Sequence, residues 1–89
     1  MAVVRLSTPL RRYTEGRPEV EAEGKTLIEV LSDLDKRYPG IAERILDGGE
    51  IQRFVNIYVN NEDVRLGSGL KTKLGKGDIV SILPAVSGG

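Results

Sequence analysis

Thr26-Leu27-Ile28-Glu29-Val30-Leu31-Ser32-Asp33-Leu34-Asp35-Lys36-Arg37-Tyr38 decides the fold. Leu27, Val30, Leu31, Leu34 and Tyr38 recur at i, i+3, i+4, i+7 and i+11, which puts them on one face of an α-helix. Thr26 and Glu29 stand at capping-box spacing, and Pro39-Gly40 stops the helix. A helix with one apolar stripe must bury it against another element. The flanking segments supply that element.

Two strands are predicted before the helix. Residues 2–7 are rich in β-branched side chains, and residues 18–23 alternate Val20 and Ala22 against Glu19, Glu21 and Glu23. Residues 8–17, with Pro9, Gly16 and three arginines, read as a loop between them. After the helix, residues 41–46 predict a short second helix closed by Gly48-Gly49. Residues 54–60 alternate Val55, Ile57 and Val59 with Asn56, Tyr58 and Asn60, a strand that ends in a tight turn at Asn60-Asn61-Glu62-Asp63. Residues 64–66 read as a short return strand. Residues 67–77 read as a loop with a turn of helix near Leu70. Residues 78–83 form an apolar strand interrupted by Ser81, and Pro84, which offers no N–H, ends its ladder. The order is β-β-α-(α)-β-β-β. This is an α+β arrangement, a mixed sheet of about five strands with one main helix packed on one face, and it matches the β-grasp, or ubiquitin-like, architecture. The expected division is a domain over residues 1–84 and a flexible tail over residues 85–89.

Composition narrows the function. Eighty-nine residues suffice for one small domain without a deep internal cavity. The charged fraction is 29% and the hydrophobic fraction 39%, values of a soluble globular chain. Lysine plus arginine equals aspartate plus glutamate at 13 each, a balance that argues against nucleic-acid binding. No apolar run approaches a membrane span, and residues 1–6 carry no signal-peptide stretch, so a cytoplasmic location is expected. The chain has no cysteine and no histidine. Disulfides, thiolate nucleophiles, ordinary zinc sites and the commonest general base are therefore excluded. A protein of this composition reads as a substrate of enzymes rather than as an enzyme, with no bound metal or cofactor of its own.

The internal glycine pairs do not form a phosphate loop. Five residues separate Gly69 from Gly75, and Gly77 follows Lys76 where serine or threonine is required. Arg11-Arg12 and Lys71-Thr72-Lys73 read as solvated loop charges able to meet an acidic partner. Glu19, Glu21 and Glu23 read as a polar strand face rather than a catalytic set.

The remaining signal is Leu83-Pro84-Ala85-Val86-Ser87-Gly88-Gly89. Two glycines lack Cβ atoms and can thread a narrow tunnel, so the candidate reactive group is the main-chain carboxylate of Gly89, with Gly88 giving access. A diglycine also fits an incidental loose tail. The segment before it, however, stays apolar past the end of strand pairing, which marks Leu83, Pro84 and Val86 as candidate contacts for a partner protein. Together with Gly77-Asp78-Ile79-Val80, this segment resembles the C-terminus of the ubiquitin-like sulfur carriers of the MoaD/ThiS family. The stretch Arg53-Phe54-Val55-Asn56-Ile57-Tyr58-Val59-Asn60-Asn61-Glu62-Asp63-Val64-Arg65 and the extra residues 41–52 are similar to the CysO-type branch, the carriers for cysteine synthesis. Ala85 stands where many molybdopterin-type carriers have a second proline.

The resemblance implies a chemistry. A ubiquitin-activating-type enzyme would bind the tail and ATP, and the Gly89 carboxylate would be adenylated. A sulfurtransferase or another sulfur donor would displace AMP and leave a thiocarboxylate. A cysteine-synthase-type acceptor carrying pyridoxal phosphate would take the sulfur. ATP and pyridoxal phosphate would belong to these partners, not to this chain. The same residues fit a modifier joined through Gly89 to lysines of other proteins, the small subunit of molybdopterin synthase, or a plain β-grasp interaction module.

Overall fold

The computed structural model describes residues 1–84. The helical stretch forms α1, Leu27–Arg37. Thr26 Oγ1 accepts from the Glu29 N–H at 3.4 Å, and Glu29 Oε1 accepts from the Lys25 N–H at 2.8 Å. The capping box is thus shifted by one residue, because the carboxylate reaches Lys25 rather than Thr26. Leu27, Val30, Leu31 and Leu34 are fully buried. Asp35 Oδ1 accepts from the N–H groups of Gly40 and Ala42 at 3.1 and 3.0 Å, clipping the end of α1 to a short helix α2, Ile41–Ile45.

α1 covers one face of a five-stranded sheet built from β1 (Ala2–Leu6), β2 (Glu19–Ala22), β5 (Val55–Val59), β6 (Glu62–Asp63) and β7 (Ile79–Pro84). The strand order is β2-β1-β7-β5-β6, and the sheet is mixed: β1 and β7 run parallel and the other neighbours antiparallel. This is the ubiquitin-like β-grasp expected from the element order. Period-two alternation divides the strands cleanly. Val4, Leu6, Val20, Val55, Ile57, Val80 and Ile82 point into the core, while Arg5, Glu19, Glu21 and Leu83 are exposed on the opposite face.

Several elements depart from the sequence reading. Residues 8–17 contain a 3₁₀ helix, Thr8–Thr14, that buries Leu10 and Thr14. The return strand is Glu62–Asp63 and not residues 64–66. Asn60 and Asn61 both adopt positive φ, 50° and 74°, so the turn takes two residues and pairing resumes at once. Asp63 then caps a 3₁₀ turn, Val64–Leu66, by accepting from the Arg65 N–H at 2.9 Å, while Val64 is drawn into the core. An additional hairpin, β3 (Leu46–Asp47) and β4 (Glu50–Ile51), turns at Gly48-Gly49, where φ is 60° and 85°. Gln52 fastens it: its Nε2 donates to the carbonyls of Glu43 and Leu46.

The start of the last strand is also anchored. Asp78 accepts from the Gly75 N–H at 2.7 Å and from Asn60 Nδ2 at 3.1 Å, and these bonds hold its carboxyl below the usual range. Asn60 Oδ1 accepts from the Ile79 N–H at 3.0 Å. β7 then lies between two full ladders. Its last registered pair is Val55↔Pro84, so Pro84 closes the strand.

Candidate functional site at the end of the last strand

The sheet delivers the chain to one place. β7 is the central strand, and Pro84 is its final residue. The described structure therefore ends in the middle of the sheet and not at an edge. Of the residues singled out from sequence, Leu83 and Pro84 lie within the described structure. Val86, Gly88 and Gly89 lie outside the described residues.

Leu83 stands opposite Asn56 and is 42% exposed, on the sheet face away from α1. Beside it is a shallow basin of about 450 Å³ whose lining includes Arg5, Ser7, Arg11, Glu19 and Ser81. Arg11 is oriented by a bond from its Nε to the Leu6 carbonyl at 3.0 Å, and Arg5 faces Glu19 at 3.3 Å. The Arg5–Glu19 pair is more than half exposed and adds little to stability. Ser7 Oγ is buried and meets no hydrogen-bond partner among the described residues. An unpaired buried hydroxyl is unfavourable by about 1–3 kcal/mol. The basin thus sets one exposed leucine beside two cations, features suited to contact with another protein.

The Phe54 side chain was missed as a surface feature. It is 59% exposed, with the Arg53 guanidinium carbon 5.6 Å from its ring centroid. Phe54 lies in a turn one residue before β5, Val55–Val59, so the strand alternation does not place its side chain. The acidic strand face is as expected: Glu19, Glu21 and Glu23 are exposed and dispersed. No group of three or more His, Cys, Asp or Glu side chains among the described residues could hold a metal ion. No helix among them is long and apolar enough to cross a membrane. A surface basin of about 740 Å³ lies at the far end of the sheet between Met1, Ile28 and Leu74, and its charged rim mixes Lys25 and Lys76 with Glu23.

A five-stranded mixed sheet with β7 at its centre and α1 packed on one face defines a class, the small ubiquitin-like β-grasp proteins. The profile of the ThiS family matches residues 4–89. The chain belongs to the ThiS family. It is 53% identical over 89 residues to the sulfur carrier protein CysO of Mycobacterium tuberculosis, covering 97% of this chain and 96% of that one. A solved structure of a BexX/CysO complex from Amycolatopsis orientalis superimposes with a TM-score of 0.95 at 43% identity, over the whole of both chains. The small archaeal modifier protein 1 of Methanosarcina acetivorans matches with a TM-score of 0.85 at 34% identity, over 99% of this chain and 95% of that one. These relatives are named as carriers and modifiers rather than as enzymes, in agreement with a chain that lacks cysteine and histidine.

Proposed function

We propose that this protein is a sulfur carrier whose Gly89 carboxylate is adenylated and then converted to a thiocarboxylate that donates sulfur for cysteine synthesis. The observation that carries the reading is the near full-length identity to a named sulfur carrier, in a chain that finishes Ser87-Gly88-Gly89. The carboxylate oxygen attacks the α-phosphate of ATP, and pyrophosphate leaves. The mixed anhydride formed is an activated acyl group. A hydrosulfide-level sulfur from a donor protein attacks the acyl carbon, and the bond to AMP oxygen breaks. The thiocarboxylate so formed is a softer and stronger nucleophile than the carboxylate it replaced. Its sulfur then bonds to the β-carbon of an activated serine in a cysteine-synthase-type enzyme, where pyridoxal phosphate would supply the activation; the activating group leaves that carbon, and hydrolysis of the acyl link returns the Gly89 carboxylate and frees cysteine.

In this scheme the domain supplies recognition and the tail supplies the reacting atoms. Gly88 and Gly89 carry no Cβ and pass through a tunnel that larger residues block. Leu83, Pro84 and Val86 form the apolar contact at the tunnel mouth. The ATP and pyridoxal phosphate are held by the partners, in the cytoplasm. An internal thiol could intercept the activated acyl group, and the chain has none. Intact-mass analysis of the protein purified from its own cells tests the reading. A fraction of the chain should carry sulfur in place of one oxygen, mapped to the terminal peptide. Sulfur found only elsewhere in the chain would overturn it.

The 34% identity to an archaeal modifier supports a second reading, in which activated Gly89 is joined to lysines of other proteins. Isopeptide-linked products in the same cells, without thiocarboxylate, would favour it.

A further inference from the structure

We infer that the ledge formed by Phe54, Arg12 and Arg44 is a second docking point for the enzyme whose active site receives Gly89, and that it engages an acidic stretch bearing a protruding apolar side chain. The inference rests on the carrier reading and adds a surface to it. A pocket of about 290 Å³ opens beside Phe54, with an apolar floor of Pro9, Leu10 and Val55. Arg12 and Arg44 line its rim against the single carboxylate of Glu43. Arg53 adds a third cation over the Phe54 ring. The chain as a whole is neutral, so this concentration of arginine is local. Arginine and aromatic side chains together are the composition of interface hot spots.

The ledge is held rigid. Arg44 Nε donates to Tyr13 Oη at 2.8 Å, and Gln52 ties the floor to the short helix and hairpin. Arg65 donates to the Gln52 carbonyl and to Asn56 Oδ1, bracing both sides of residues 53–55. A preorganised surface keeps more of its contact energy on binding.

Its position names the occupant. Val55, in the pocket floor, is the ladder partner of Pro84. Gly89 stands five residues after Pro84, and five extended residues span at most about 18 Å. Any enzyme that acts on Gly89 must bring its body close to Pro84, and both Leu83 and the Phe54 ledge lie beside that residue's ladder pair. A small apolar pocket ringed by arginines suits a protein side chain with acidic neighbours. A neutral domain with one exposed ring offers RNA neither a stacking platform nor a basic track.

The test uses the full chain and the purified adenylating enzyme in ATP–pyrophosphate exchange, with the KM for the chain read separately from kcat. Phe54→Ala, and separately Arg12→Glu with Arg44→Glu, should each raise KM about tenfold or more with kcat kept. Added salt should raise KM for the parent and not for the charge-reversed chain. Circular dichroism confirms folding, and Phe54→Trp should restore a parent-like KM. If the parent neither exchanges nor binds, the carrier reading falls. If the parent exchanges and the variants match it, the ledge alone falls. The ledge proposal is also overturned if single-stranded RNA competes for the parent, if Phe54→Ala abolishes a concentration-dependent dimer, or if deleting residues 85–89 from the isolated chain shifts the Phe54 ring signals.

Discussion

Replacing Leu83 separates a docking surface from a core. The side chain is 42% exposed, so more than half of it is already covered by its own domain. Full burial of a leucine is worth about 1.5–3 kcal/mol. Leu83→Ala should therefore lower stability by about 1–1.5 kcal/mol, well under the cost of emptying a true core site. For a domain of this size that is a fall of roughly 4–12 °C in Tm. Leu83→Asp removes the same apolar contact but leaves its carboxylate in water and beside Arg5 and Arg11, so the domain should still fold. Binding behaves differently. An activating enzyme that covers Leu83 would have to desolvate that carboxylate, and affinity should drop by 2 kcal/mol or more, roughly thirtyfold in Kd. Thermal melts and a titration against the enzyme, on the same samples, give both numbers. Two results would refute the reasoning. One is a loss of stability beyond about 3 kcal/mol, which would make Leu83 a core residue. The other is parent-like affinity for the Asp variant, which would remove it from the interface.

Gly24→Ala should destabilise the domain by roughly 2–3 kcal/mol, or roughly 8–24 °C in Tm. A Cβ there would lie 2.6 Å from the Val30 nitrogen and 2.8 Å from the Glu29 carbonyl carbon, both backbone atoms of α1; a Tm within two or three degrees of the parent would refute this. Asp33→Asn should weaken the domain near neutral pH and matter less in acid. Asp33 Oδ2 accepts from the Glu23 N–H at 2.8 Å and from Arg37 Nε at 2.7 Å, which hold its carboxyl below the usual value of about 3.9. A depressed acid contributes stability that is full above its unfolded pKa and lost as pH falls through the folded one. The difference in urea midpoint between parent and variant should therefore begin to shrink as pH falls below about 3.9 and vanish only below the depressed folded pKa; a gap that does not shrink on acidification would contradict the assignment. Gly88→Val and Gly89→Val should abolish ATP–pyrophosphate exchange while leaving the circular dichroism spectrum unchanged, and normal exchange by both would remove the steric argument.

Much of this was legible in the chain itself. The α1 stripe and the alternation at Val55, Ile57 and Val59 specify which faces are buried, because each period fits one element and no other. What was not legible is where side chains compete with the ladder. Asp63 could have continued a strand, but its carboxylate caps the next turn and ends pairing after two residues. Leu10 and Thr14 are buried on a segment with loop composition, since their 3₁₀ helix depends on tertiary contacts and not on periodicity. Leu83 falls on the exposed phase of its strand as any outward residue would, yet nothing local announces that Phe54 and two arginines distant in sequence, Arg12 and Arg44, meet at one rim.

The parallel pairing of β1 with β7 has a mechanical meaning. A partner that drew residues 85–89 into a tunnel in line with β7 would pull on the end of that strand along its length. Four registered pairs with β1 and five with β5 then resist together in shear. Peeling would strain the same bonds one after another and would need a pull across the strand. Tension applied at the tail is therefore shared over both neighbouring ladders, and a partner can tug on the terminus while the buried face beneath α1 stays closed.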